Sequence, residues 1–298
     1  MSVLSIGTFD GLHLGHQKLL ARMREIARLE ELQSIVVTYK DHPAFVLSQK
    51  ALPKLLCPWE IKQQELMKLG IDRVEVLEFD AELAATSAED FLEKILIPRW
   101  QPKVIVVGYD SHFGKNRRGN RSFLEDRAEQ FGYRVEYISP QLYGGNPVSS
   151  TIIRELLCQG DIKTANDLLG RYYRLSGKVG KGIARGREFG FPTANLILSN
   201  PHQLLPREGI YLSRAILGES RFFGLTNIGK SPTVKHTGIV EIETFLMDFS
   251  GDIYGDSLQV ELISYLREEK MFANTDALVQ AMRMDLIHAR RLISGGLS

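Results

Sequence analysis

The sequence predicts an α/β protein in two parts: an N-terminal doubly wound parallel sheet, then a small antiparallel β-barrel with a C-terminal helix. Three observations carry that prediction. Apolar, β-branched runs alternate with helical patterns through the first half. Beyond Tyr172 the pattern turns to short strands separated by Gly, Asn, Asp and Pro clusters. A chain of 298 residues also divides more naturally between two cores than around one.

The first-half strands are expected at Val3–Ile6, Ser34–Tyr39, Arg73–Phe79, Lys103–Gly108 and Tyr133–Ile138. Between them, helices are expected at Gln17–Leu29, Pro58–Leu69, Ala88–Leu96 and Ser122–Phe131. Pro58 suits a first turn, and Gly70 and Gly132 read as stops. In such a sheet, ligands sit beyond the carboxyl ends of the strands. A short helical pattern over Asp161–Gly170 precedes the change in composition, so the domains are placed at 1–160 and 172–298, with 161–171 as a linker. The second-half strands are expected near Tyr173–Lys178, Ile210–Leu217, Arg221–Asn227, Glu241–Phe249 and Ser257–Tyr265. A final helix is capped by Asn274 or Thr275 and carries the apolar stripe Leu278, Met282, Leu286 and Ala289.

A formal net charge of +1 with no long basic run argues against nucleic acid or a membrane surface as partner. No apolar run approaches the ~18 residues of a membrane span, and the N-terminus enters a strand without a leader pattern. Cys57 and Cys158 lack metal-ligand or disulfide spacing, and both are expected to be buried thiols. The expected location is the cytoplasm.

Gly7-Thr8-Phe9-Asp10-Gly11-Leu12-His13-Leu14-Gly15-His16 follows the first strand and opens the first helix. Its glycines permit a tight turn and close backbone approach. His13 and His16 fall on one face where free N–H groups and the positive helix end favour an anion. The same residues would also serve as ordinary loop and cap positions. The loop Gly108–Asn120 is dense in Gly, Asn and cations, and reads equally as a phosphate-facing loop or a solvated turn. Ser149-Ser150-Thr151 precede an apolar helical run containing Arg154, which is an N-cap signal.

In the second half, Gly177–Asn195 holds five glycines within fourteen residues, interleaved with cations. It is neither a Walker A loop nor a dinucleotide fingerprint. Physical reasoning alone leaves a surface loop and a phosphate clamp equally open. Glu243 alternates with Ile242 and Thr244, so it shares one face of a strand with Glu241.

These motifs together resemble the bacterial bifunctional riboflavin kinase/FAD synthetase family. Gly7–His16 is similar to the HxGH signature of nucleotidyltransferases. Gly108, Asp110, Phe113, Gly114, Asn116 and Gly119 match a second family segment, and Ser149–Arg154 matches the Ser-Ser-Thr-x-Ile-Arg motif. Gly186–Asn195 matches the riboflavin kinase signature, as do Asn227-Ile228-Gly229 and Leu266-Arg267-x-Glu269-Lys270-x-Phe272. The chain departs from the family at Ser111, His112, Phe245 and Pro147, the last standing where many relatives carry a basic residue.

The resemblance implies ATP-dependent phosphorylation of riboflavin to FMN, then adenylyl transfer from a second ATP to give FAD and pyrophosphate. It implies Mg²⁺ as cofactor, held with Thr193 and Asn195, and Glu243 as catalytic base of the kinase. For adenylyl transfer it implies His13, His16, Asn116 and Arg154 as catalytic residues. Nucleotide or phosphate binding is implied for Gly7, Phe9, Asp10, Gly15, Ser150 and Thr151 in the first domain. In the second it is implied for Gly182, Arg187, Phe191 and Pro192. The implied partners are riboflavin, FMN, FAD, ATP, ADP and pyrophosphate. A single-activity enzyme with one decayed domain and a non-catalytic flavin-binding module are the alternatives.

Overall fold

In a computed structural model, residues 1–47, 52–181, 191–230 and 240–296 are described. The chain forms two compact units, Met1–Ile152 and Ile153–Ser298.

The first unit is built on five parallel strands: β1 (Ser2–Ile6), β2 (Gln33–Tyr39), β3 (Arg73–Leu77), β4 (Pro102–Gly108) and β5 (Arg134–Ile138). Their spatial order is β3-β2-β1-β4-β5, the doubly wound arrangement expected. The near-continuous apolar strands are explained by burial on both faces. Leu4, Ile35, Val37, Ile105 and Val107 enter one core with Phe91, Leu96 and Trp100. Val3, Val36, Val104 and Val106 enter the other with Leu20 and Met23 of helix α1 (Leu14–Leu29). A two-stranded hairpin, β6 (Leu142–Tyr143) and β7 (Asn146–Pro147), follows β5.

Two expected helices differ in detail. The segment from Ala88 starts as an α-helix capped by Ser87, widens to a π-helix over Phe91–Leu96, and resumes over Ile97–Trp100. Pro98 explains the widening, because it has no N–H to give to the preceding turn. The Ser122–Phe131 pattern is two short helices, Arg121–Glu125 and Ala128–Phe131. The break coincides with Arg127, whose guanidinium lies 3.8 Å from the Phe123 ring centroid.

In the second unit, Ile162–Leu169 is a helix capped by the Asp161 side chain, in keeping with the short helical pattern expected over Asp161–Gly170. Asn166 fastens it to the barrel, donating to Leu262 O at 2.9 Å and accepting from Tyr173 N at 2.6 Å. The barrel comprises β8 (Tyr173–Gly180), β9 (Thr193–Leu198), β10 (Gly209–Leu217), β11 (Ser220–Lys230), β12 (Val240–Leu246) and β13 (Ser257–Arg267). It closes in the order β10-β11-β12-β9-β8-β13. Strand β9 is absent from the sequence expectation, because its first residues belong to the glycine-rich signature that reads as loop.

Alternation divides the barrel wall. Ser213, Thr226 and Thr244 are fully buried and share a hydroxyl network, with Thr226 Oγ1 2.7 Å from Ser213 and 3.0 Å from Thr244. The opposite side of the same strands carries Leu225 and Phe245, which pack with Leu286 and Ala289 of the C-terminal helix Thr275–Ser294. Asn274 caps that helix, and a bidentate pair from Arg267 to Asp285 ties it to the end of β13. One thiol differs from expectation. Cys57 is buried, but Cys158 is exposed near the end of the helix Ser150–Gln159, a face the apolar run alone did not distinguish.

Candidate functional site

The first site forms where β1 ends. Phe9 and Leu12 have φ of 47° and 45°, which lets a non-glycine turn double back before α1. Several contacts hold that turn. Asp10 accepts from Cys57 N at 2.9 Å and Leu56 N at 3.1 Å, while Ser150 Oγ donates to Asp10 O at 2.8 Å. Thr8 O accepts from Lys62 Nζ at 2.9 Å and from Thr38 Oγ1 at 3.3 Å. The first α1 amides point past His13, whose side chain does not cap the helix, and the first turn holds no acidic residue. The positive helix end is therefore left for a ligand.

His13 and His16 stack with ring centroids 3.7 Å apart, and Phe9 meets His16 edge-on at 5.3 Å. The Nδ1 atoms of both histidines are buried with no hydrogen-bond partner among the described residues. Burial lowers the pKa of His13 from 6.5 to about 4. It also holds His16 well below its ordinary value, with His13 and the Lys62 ammonium acting in the same direction. Both rings are neutral at pH 7, and a polyanion arriving here would favour their protonation.

A pH prediction follows with a definite sign. Between pH 6.5 and about 4 the unfolded chain binds protons at His13 that the folded protein refuses, so this contribution to stability falls as pH falls. It amounts to roughly 3 kcal/mol across that window. Urea unfolding at stepped pH is expected to show a shallower acid loss in His13→Gln than in the parent; identical slopes would contradict the assignment.

A cavity of about 600 Å³ opens in front of the two imidazoles. Gly7, Phe9, His13, Gly15 and His16 line it, with Tyr39, Phe79 and Ile138 as apolar wall and Tyr109, His112 and Arg117 from the loop after β4. That loop is tightly held. Phe113 and Gly119 exchange backbone hydrogen bonds at 2.9 and 3.0 Å, and Lys115 N donates to Thr86 O at 2.8 Å. Gly114 has φ of 69°, and a Cβ there would meet the backbone of Ala88, so this turn requires glycine. Asn116 and Arg117 follow with φ of 58° and 57°.

The structure brings together five of the predicted residues on the cavity wall, and joins Asp10 to Ser150 behind it. Asn116 adjoins Arg117, but Asn116 itself is not on that wall. Thr151 and Arg154 lie in the first two turns of the helix Ser150–Gln159. Ser149 Oγ, rather than Ser150, is the hydroxyl aimed at that helix's free amides, 3.4 Å from Ile152 N.

Sequence reasoning missed Lys62 and Arg117. Lys62 is 5% exposed and donates to Tyr39 O at 3.0 Å as well as to Thr8 O, bridging the ends of β1 and β2. Burial lowers its pKa, opposed by Asp10, Cys57 and Asp41. The helix Trp59–Lys68 carries Lys68 as well, so no local signal singled Lys62 out. Lys62→Met is expected to destabilise the protein by about 2 kcal/mol, since two buried carbonyls lose a charged donor. Urea titration reads that loss; an unchanged midpoint would remove Lys62 from this role.

The second site lies on the barrel face that carries Phe245. Glu243 is in register with Asn195 on β9 and with Asn227 on β11, so the three form a row across adjacent strands. Thr193 is in register with Phe245 on the same β9–β12 pair, and Phe191 packs edge-on to Phe245 at 5.2 Å. Burial, with Glu241 and Glu269 nearby, raises the pKa of Glu243. Pro192 directly precedes β9. Gly182 and Arg187 lie outside the described residues. Among the described residues, no group of three His, Cys, Asp or Glu side chains forms a metal site. A hydroxyl and an amide oxygen are the sparse oxygen donors that suit Mg²⁺ completed by water and substrate phosphates.

The fold thus presents two constellations: an imidazole pair on the first turn after β1, and a carboxylate flanked by amides on the barrel. Residues 1–152 match the FAD synthetase family and residues 169–293 match the riboflavin kinase family. The bifunctional riboflavin kinase/FMN adenylyltransferase of Pseudomonas fluorescens is 36% identical, over 97% of this chain and 92% of that protein. The Escherichia coli K12 protein of the same description is 34% identical over 97% and 91%, and that of Listeria monocytogenes 32% over 95% and 90%. A solved Streptococcus pneumoniae chain described as a macrolide-efflux protein superposes with a TM-score of 0.87 at 29% identity, covering 97% of this chain and 94% of that one. No helix among the described residues is long and apolar enough to cross a membrane. The chain belongs to the bifunctional riboflavin kinase/FMN adenylyltransferase family.

Proposed function

We propose that this chain makes both flavin nucleotides, with the kinase in residues 172–298 and the adenylyltransferase in residues 1–160, joined through 161–171. In the kinase, Glu243 takes the proton from the ribityl 5′-hydroxyl as that oxygen attacks the γ-phosphate of ATP, giving FMN and ADP. The observation that carries this reading is the Asn195–Glu243 register pair, with the raised pKa of Glu243 keeping it a competent base. Thr193 and Asn195 would hold Mg²⁺, which would supply neutralisation of phosphate charge. Gly182, Arg187, Phe191 and Pro192 serve the nucleotide.

In the adenylyltransferase, the FMN phosphate attacks the α-phosphate of a second ATP and pyrophosphate leaves. The attacking group is already anionic, so no protein nucleophile is needed. Positioning and charge stabilisation fall to His13, His16, Asn116, Ser150, Thr151 and Arg154, with Gly7, Phe9, Asp10 and Gly15 shaping the bed. The cytoplasm, where ATP is regenerated, is the proposed location.

Purified protein supplied with riboflavin, ATP and Mg²⁺ should form FMN and then FAD when the flavins are separated. FMN accumulating without FAD would leave only a kinase, and omission of Mg²⁺ should stop both steps.

A further inference from the structure

The row on the barrel face contains one polar atom with no task in the scheme above. Asn227 donates from Nδ2 to Glu269 Oε1 at 3.1 Å. The Glu269 carboxylate lies over Gly229, the next position along the same face, in the space a Cβ there would take. An ionised carboxylate accepts and does not donate. The Asn227 amide is therefore held in one orientation, with Nδ2 toward Glu269 and Oδ1 turned away. That Oδ1 is buried and has no hydrogen-bond partner among the described residues. Buried amide oxygens are normally satisfied, and one left open beside a catalytic carboxylate calls for a donor from outside the protein.

The surroundings restrict that donor. An amide oxygen only accepts, so its partner must carry a proton to donate, which an ionised phosphate oxygen does not. The flavin substrate carries a polyol chain whose terminal hydroxyl must reach Glu243, the register neighbour of Asn227. Its other hydroxyls are neutral donors that arrive with it. We propose that Asn227 Oδ1 accepts a hydrogen bond from a non-reacting ribityl hydroxyl, steering the polyol so that its 5′-hydroxyl meets Glu243. Glu269 is then a positioning residue that acts only by fixing the Asn227 amide. This rests on the assignment of Glu243 as the kinase base.

The test uses the full-length protein and a set of riboflavins each lacking one ribityl hydroxyl. Asn227→Ala is expected to raise the KM for riboflavin about tenfold, equivalent to about 1.4 kcal/mol. The KM for ATP and the Mg²⁺ half-saturation should stay fixed. One deoxy analogue should cost the parent the same tenfold and cost Asn227→Ala nothing further. Glu269→Gln should raise the riboflavin KM in part, with no further effect when combined with Asn227→Ala. A shifted Mg²⁺ half-saturation with unchanged riboflavin KM would overturn the inference in favour of a metal ligand. A deoxy effect undiminished in Asn227→Ala would overturn it outright. Glu243→Gln assayed alongside separates the two levels: if it keeps the kinase rate, the base assignment fails, whereas its loss with an unmoved riboflavin KM in Asn227→Ala sinks this inference alone.

Discussion

His16→Ala is expected to abolish FAD formation while FMN formation continues at the parent rate. The side chain stands on the cavity wall with its ring clamped between His13 and Phe9, so it is held in place before substrate arrives. A preorganised donor of this kind is worth about 10²–10³ in rate when removed. The loss should be at the upper end, because His13 also loses its stacking partner. Alanine at a first-turn helix position keeps the backbone well served, so the defect should appear in turnover rather than in folding. Separating the flavins after incubation with riboflavin and ATP reads the result directly, as FMN with no FAD. A variant that loses both products while retaining its unfolding midpoint would show that the chemistry is not divided as proposed.

The reciprocal result is expected from Glu243→Gln. It should lower FMN formation by about 10²–10⁴, the usual range for a general base, and leave adenylylation of supplied FMN intact. The base works only when ionised, so the parent kinase rate should fall as pH drops through the raised pKa of Glu243. That acid limb should vanish in the glutamine variant's residual rate. Glutamine also removes one of three neighbouring carboxylates, so the variant should be no less stable than the parent. A destabilised variant would mean that the carboxylate serves the fold instead of the reaction.

Much of this was legible in the residues. Continuous β-branched runs such as Ile35–Val37 and Val104–Val107 announced strands buried on both faces, and the order of motifs placed two sites in two units. The His13–His16 pair was readable because a turn, a helix start and two imidazoles coincide within ten residues. What escaped depended on long-range contacts. Lys62 is identified by two carbonyls, one from the turn after β1 and one from the end of β2, and nothing in its own helix distinguishes it from an exposed lysine. Strand β9 was hidden because Thr193 and Asn195 sit at the end of a glycine-rich run, and only pairing with β8 and β12 makes them a strand. The strained φ of Arg117 is likewise set by the loop's anchorage at Thr86 and the Phe113–Gly119 bridge.

The Asp10–Ser150 hydrogen bond spans 140 residues, and this bears on the order of events during synthesis. The imidazole-bearing turn is translated before the residues that fasten it, namely Leu56, Cys57, Lys62 and finally Ser150. Strand β4, which lies beside β1 in the finished sheet, also emerges about a hundred residues later. A nascent chain that ends before Ser150 lacks the last of these fastenings, so the turn is completed only when nearly all of the first unit has been made.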